Sequence, residues 1–216
     1  WVEDIMLRTA GPEVYDQWVS HQIPFNDVRV KSAVEIMGKR LRDPKYVFGG
    51  SQSVLTTNFG DAPNVMFESP PKAWMHRQGN FITGFFPENI QANLDEEVGL
   101  FGFPQIESEW GTPALGGDDE FIMLNDRPEV KAFMEFLATW ESGESWARAG
   151  GALFPYKNQD LSAYGNDLER AQAELLPDAK VFRFDASDLM PGQVGAGTFW
   201  TGMVDYVSGV DIDRVL

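Results

Sequence analysis

Glycine and proline cut this chain into short pieces, and that punctuation limits its fold more than any other feature. The 216 residues include 21 Gly and 13 Pro, and one of the two soon interrupts each apolar stripe at helical spacing. Val2, Ile5, Met6 and Thr9 share a helical face until Gly11-Pro12, and Val14, Trp18 and Val19 extend the stripe until Pro24. Proline removes a backbone donor and clashes with the preceding turn, so each break ends an element. Nowhere do 18 consecutive apolar residues occur, so no membrane span is expected. There is no internal repeat and no low-complexity tract.

Between the breaks the pattern is mostly helical. Asn26 or Asp27 is placed to cap a helix that buries Val30, Ala33, Val34 and Met37. Residues 43–72, with Gly49-Gly50, Pro63 and Pro70-Pro71, read as short helices joined by turns. Three buried strands are expected, at Ala73-Trp74-Met75, from Val98 to Ile106, and at Phe121-Ile122-Met123-Leu124. Asn125-Asp126-Arg127-Pro128-Glu129 is a strong helix start. Val130, Phe133, Met134 and Leu137 then fall at i, i+3, i+4 and i+7. A further helix over about 141–149 ends at Gly150-Gly151, Leu168, Ala171 and Leu175 mark another, and Phe199, Met203, Tyr206 and Val207 the last. The sum is a helix-rich α/β chain with short central strands.

Composition narrows the function classes. With 43% hydrophobic and 13% aromatic residues there is enough apolar material for a core. Acidic residues outnumber basic ones 33 to 17, for a net charge of -16. Such a field repels phosphates and anionic headgroups, which argues against nucleic-acid and membrane-surface partners. The absence of cysteine removes disulfides, iron–sulfur clusters, thiol nucleophiles and cysteine zinc sites. The opening at Trp1 and the close on Asp211-Ile212-Asp213-Arg214-Val215-Leu216 read as a piece of something longer, with no signal peptide in view.

The local motifs of the sequence mainly exclude functions. His21 and His76 are far apart and no HExxH occurs. Gly49-Gly50-Ser51-Gln52-Ser53 lacks the lysine of a phosphate loop, and after Gly195-Ala196-Gly197 the third glycine of a dinucleotide fingerprint is replaced by Trp200. No GxSxG elbow and no calcium loop is present. No cofactor and no metal are expected. Of the acidic clusters, Asp95-Glu96-Glu97 reads as solvated surface. Asp118-Asp119-Glu120 follows Gly116-Gly117, which leaves a plain turn and a ligand contact both open.

The order of features resembles the C-terminal half of an extracytoplasmic solute-binding protein of a carbohydrate ABC transporter, of the maltose- and α-glucoside-binding kind. The residues that carry the likeness run along the whole chain. They are Thr56 to Phe67, Ala73-Trp74-Met75-His76-Arg77-Gln78-Gly79-Asn80-Phe81, Phe101-Gly102-Phe103-Pro104-Gln105-Ile106, Thr112-Pro113-Ala114-Leu115-Gly116-Gly117, and Gly150-Gly151-Ala152-Leu153-Phe154-Pro155. At Gly79-Asn80-Phe81 this chain has Phe where sugar-binding relatives often have Trp, so no indole N–H is offered there.

The resemblance implies a type II periplasmic-binding-protein fold of two lobes. Residues 1–98 and 156–216 would form the second lobe, and 99–155 part of the first, whose remainder lies outside the chain. It implies a non-enzymatic monomer outside the cytoplasm, periplasmic or lipid-anchored, that closes on a sugar and hands it to ABC permease subunits. In such a site Phe81 would stack on a sugar face, and Arg77, Gln78 or His76 would reach its hydroxyls. Gly116 and Gly117 would bring backbone N–H groups close, Asp118 would accept hydroxyl hydrogen bonds, and Trp200 would form a cleft wall. Two other readings stand beside it. One is a carbohydrate hydrolase fragment using Asp118 or Asp119; the other is a protein-interaction domain without a small ligand.

Overall fold

The computed structural model describes residues 1–216, the side chains of residues 177 and 178 excepted. The first stretch carries helices α1 (Val2–Thr9), α2 (Gly11–Val19), α3 (Val28–Leu41) and α4 (Gly50–Thr56). The middle carries α5 (Glu88–Gln91), α6 (Leu94–Glu97), α7 (Pro128–Leu137), α8 (Trp140–Ala149) and α9 (Asp167–Asp178). Then come α10 (Ala186–Leu189), α11 (Trp200–Ser208) and α12 (Ile212–Val215), with a π-helical stretch Gln193–Phe199 leading into α11. Two three-residue strands, β1 (Ala114–Gly116) and β2 (Phe182–Phe184), pair in parallel. The chain is thus helix-rich α/β, in two compact units. One comprises Trp1–Met75, Gly102–Gly117 and Lys180–Leu216; the other comprises His76–Phe101 and Asp118–Ala179.

The first unit is organised by α1 and α3. Asp27 caps α3 by accepting the Arg29 backbone N–H at 2.9 Å, and Val30, Ala33, Val34 and Met37 are buried as their spacing predicts. They pack with Ile5, Met6 and Leu7 of α1 and with Tyr15 and Trp18 of α2. From the end of the chain, Tyr206 and Val207 of α11 join this core. Gly38 on α3 is required there, because a Cβ would run into the Tyr206 ring. Arg8 ties the returning segment to α1. Its guanidinium pairs with Asp4 at 3.0 Å and donates to the carbonyls of Pro113 at 2.8 Å and Phe103 at 3.2 Å.

The second unit has a smaller core around Trp140 of α8, Ala163, Tyr164 and Ala173 of α9. Phe154 and Tyr156 pack on Trp140 with ring centroids 6.1 and 6.3 Å away. Helix α8 ends as expected at Gly150 and Gly151, whose φ of 88° and 83° lie in the region that favours glycine. The buried Glu169 carboxylate holds that turn by accepting the Gly151 N–H at 2.8 Å.

None of the three expected strands forms. Trp74 and Met75 are 83% and 72% exposed, and 73–75 joins no ladder among the described residues. Residues 98–106 are irregular, since Gly99, Gly102 and Pro104 weaken or block pairing. Residues 121–124 are exposed, Leu124 at 93%. The strands that do form lie at 114–116, inside the Gly-Gly segment, and at 182–184, where none was expected. Asp95 is exposed, as the surface reading has it, but its carboxylate also accepts the backbone N–H groups of Asp167 and Leu168 at 3.1 Å each, capping α9.

Candidate functional site

In open parallel sheets, ligand sites gather beyond the carboxyl ends of the strands. In the first unit that edge is formed by Gly116-Gly117 after β1 and by Asp185 after β2. The register pairs Ala114 with Phe182, Leu115 with Arg183 and Gly116 with Phe184. The Asp185 N–H then closes the edge on the Gly116 carbonyl at 2.9 Å. Gly116 has a packing reason to be glycine, since a Cβ would lie 2.8 Å from the Phe182 ring. At Gly117 a Cβ would stand 3.6 Å from the Asp188 carboxylate, which is exposed on α10. The edge therefore offers exposed backbone and one carboxylate, a set suited to hydroxyl groups.

Beneath the edge lies a polar layer. The Tyr15 hydroxyl donates to the Phe184 carbonyl at 2.7 Å. Asp185 caps α10, accepting the Ser187 N–H at 3.1 Å and its hydroxyl at 2.7 Å. Glu3, buried on α1, accepts the same Ser187 N–H at 3.3 Å. Burial first, and then the hydrogen bond and charge of Asp185, push the Glu3 carboxyl up to about 8. Burial acts against Asp185 too, but hydrogen bonds from Glu3 and Ser187 outweigh it and hold that group low. Burial, with the charges of Glu3 and Asp185, also raises the Tyr15 phenol. On the outside, Arg183 grips Asp16 through two hydrogen bonds of 2.7 and 2.8 Å.

The expected site residues are divided. Gly116 and Gly117 stand at the sheet edge, and Trp200, 67% exposed, opens α11 in the same unit. His76, Arg77, Gln78, Phe81 and Asp118 belong to the second unit. There residues 76–79 are irregular, and the Gln78 amide oxygen accepts the Gly79 N–H at 2.9 Å. Phe81 lies in a 3-10 helix, Asn80–Phe85, 46% exposed, with its ring over Gly79, where a Cβ would come within 2.8 Å. Partial desolvation holds the His76 imidazole below its ordinary value although the residue lies at the surface. Asp118 is exposed in an irregular stretch.

A separate groove of about 540 Å³ runs beside α11, lined by Gln193, Thr198, Thr201, Asp205 and Arg214 among others, and by none of the expected residues. Among the described residues no group of three or more His, Cys, Asp or Glu is placed to hold a metal. Among these residues, too, no helix is long and apolar enough to cross a membrane.

Sequence reasoning missed Glu3, Tyr15, Asp185, Ser187 and Asp188. The alternation Val181-Phe182-Arg183-Phe184 followed by Asp185-Ala186-Ser187 was a usable signal for a strand entering a capped helix.

The chain is 50% identical over all 216 residues to the osmoprotective compounds-binding protein GgtB of Synechocystis sp.. It is 46% identical over 211 residues, 97% of its length, to the alpha-glucosides-binding periplasmic protein AglE of Rhizobium meliloti. The chain is thus similar along its length to two binding proteins. It spans about half the length of these relatives, 51% of the first and 46% of the second. Both relatives carry names of binding proteins rather than enzymes. No protein-family model and no solved structure matches the chain.

Proposed function

We propose that this chain is half of the substrate-binding component of an ABC importer, which captures a hydroxyl-rich solute, a sugar or an α-glucoside, between two lobes and delivers it to a membrane permease. One observation carries this reading. Identity of 46–50% runs along essentially the whole chain to two proteins named for binding osmoprotective compounds and α-glucosides. The sheet edge of Gly116, Gly117 and Asp188 is chemically compatible with such a ligand. The periplasmic relative supports an extracytoplasmic location.

In this reading Phe81 supplies an apolar face for a sugar ring, Arg77, Gln78 and His76 reach hydroxyls, and Trp200 and Asp118 complete the cleft. Ligand bound between lobes favours the closed state by its contacts with both, and the permease reads that state. The lobe division keeps residues 1–98 and 156–216 together and assigns 99–155 to the other lobe. That division concerns the longer protein, where 99–155 would have neighbours that the chain itself does not contain.

The test is thermal unfolding of the longer protein against a panel of mono- and disaccharides, α-glucosides and osmoprotective polyols. A ligand that binds only the folded state stabilises it by about 2.7 kcal/mol at a hundredfold excess over Kd. A selective rise in Tm with one class is expected, lost in Phe81→Ala. No rise with any compound in the panel overturns the reading.

A further inference from the structure

We propose that Glu3 and Asp185 share one proton across a buried carboxyl–carboxylate hydrogen bond, and that this proton fastens the turn between β2 and α10 onto helix α1. Glu3 is 8% exposed. The Ser187 backbone N–H lies 3.3 Å from Glu3 Oε1 and 3.1 Å from Asp185 Oδ1, so one amide draws both carboxyl groups to itself. Sharing that amide sets the two carboxyl groups side by side, where a hydrogen bond between them can form. Ionised carboxylates only accept, so that bond needs a proton on one of them. Asp185 already accepts the Ser187 hydroxyl at 2.7 Å as well as the N–H, an environment that favours its ionised form. The proton therefore sits on Glu3.

The groups around the pair reinforce this placement. On α1, Asp4 is paired with Arg8, which also donates to the carbonyls of Phe103 and Pro113. Helix α2 presents Tyr15, a neutral phenol that donates to Phe184, and its Asp16 is paired with Arg183 of β2. Helix α10 contributes Asp188, a further negative charge on its exposed face. In the isolated chain the α-amino group of Trp1 favours an ionised Glu3, but more weakly than burial and Asp185 oppose it. Ser187 itself cannot move aside, because its carbonyl is packed against Gly195, where a Cβ would collide with it. The turn it holds forms the carboxyl end of the sheet, so the proton fixes the position of Asp185 and Asp188 beside Gly116 and Gly117.

The consequence has a defined sign. A carboxyl group that the fold keeps protonated adds no penalty below its unfolded value of 4.5, and stability then falls as pH rises toward about 8. Thermal unfolding of this chain is measured from about pH 5 to about pH 8 for the unmodified protein, Glu3→Gln and the exposed control Glu13→Gln. The amide of Glu3→Gln can donate to Asp185 at every pH. The expected result is a Tm that falls with pH in the unmodified chain and in Glu13→Gln, and a visibly flatter curve in Glu3→Gln, which becomes the more stable protein at the alkaline end. Equal slopes in all three overturn the proposal. Should Glu3→Gln fail to fold, infrared spectroscopy of the unmodified chain decides. A protonated carboxyl band persisting at about pH 6–7 supports the shared proton, and its absence there overturns it. The pair holds its proton with or without a solute, so failure of sugar binding leaves these outcomes unchanged.

Discussion

At the scale of single residues, the side chains that matter to the first unit are those that join distant parts of the chain. Arg8 has a side chain only 4% exposed and is bonded to Asp4 and to two carbonyls of the returning segment. Replacing it by Met keeps the apolar stem but strands the Asp4 carboxylate in the interior. Breaking a buried pair in this way costs about 3–5 kcal/mol, so Arg8→Met is expected to lower the urea midpoint sharply or to prevent folding. Loss below about 1 kcal/mol would show that water replaces the guanidinium without penalty. Residues of this kind were hard to read from sequence. The cap at Asp27 and the buried set Val30, Ala33, Val34 and Met37 were legible because helical spacing is local. Ser187 and Glu3, 184 positions apart, were not, since only the fold brings them together.

At the scale of elements, helices were legible and strands were not, for a physical reason. The pattern of α3, α7, α8, α9 and α11 is written within each segment, whereas a three-residue strand exists only where a partner edge meets it. Ala73-Trp74-Met75 has suitable residues but no partner strand among the described residues, while Ala114–Gly116 finds Phe182–Phe184 across the chain. The candidate edge was accordingly half legible: the glycines stood out, and Asp185 with its neighbours did not. Helix α9 shows the same dependence at its start. Asn166 accepts the Glu169 N–H at 2.8 Å, and Asp95 from α6 accepts those of Asp167 and Leu168. A negative charge at a helix N-terminus also opposes the positive end of its dipole. Asp95→Ala is therefore expected to destabilise the second unit by about 0.5–2 kcal/mol. Chemical denaturation followed by tryptophan fluorescence, to which Trp140 in the core of this unit contributes, checks this. An unchanged midpoint would show that the Asp95 cap adds nothing to stability.

At the scale of the whole molecule, the distribution of apolar surface is uneven. Helix α3 lies in a continuous core, whereas α7 buries none of its residues. Phe133 and Phe136 are 55% and 50% exposed, and the preceding stretch exposes Phe121, Ile122 and Leu124 at 60%, 74% and 93%. An apolar surface of this extent is unusual on a self-sufficient monomer. The amphipathic spacing of Val130, Phe133, Met134 and Leu137 nevertheless makes one side of α7 apolar. Under the proposed lobe division, residues 99–155 complete a lobe whose other part lies in the longer protein, and α7 is the helix that such a part would cover. Backbone amides of a helix without buried side chains open by local fluctuations, so their hydrogen exchange follows local rather than global stability. In this chain alone, α7 amides are expected to exchange much faster than those of α3. In the longer protein, protection of α7 is expected to rise by at least about tenfold, a change of roughly 1.4 kcal/mol in opening free energy, while α3 changes little. Equal exchange of α7 in both proteins would mean that nothing covers this helix, and the assignment of 99–155 to the first lobe would fall with it.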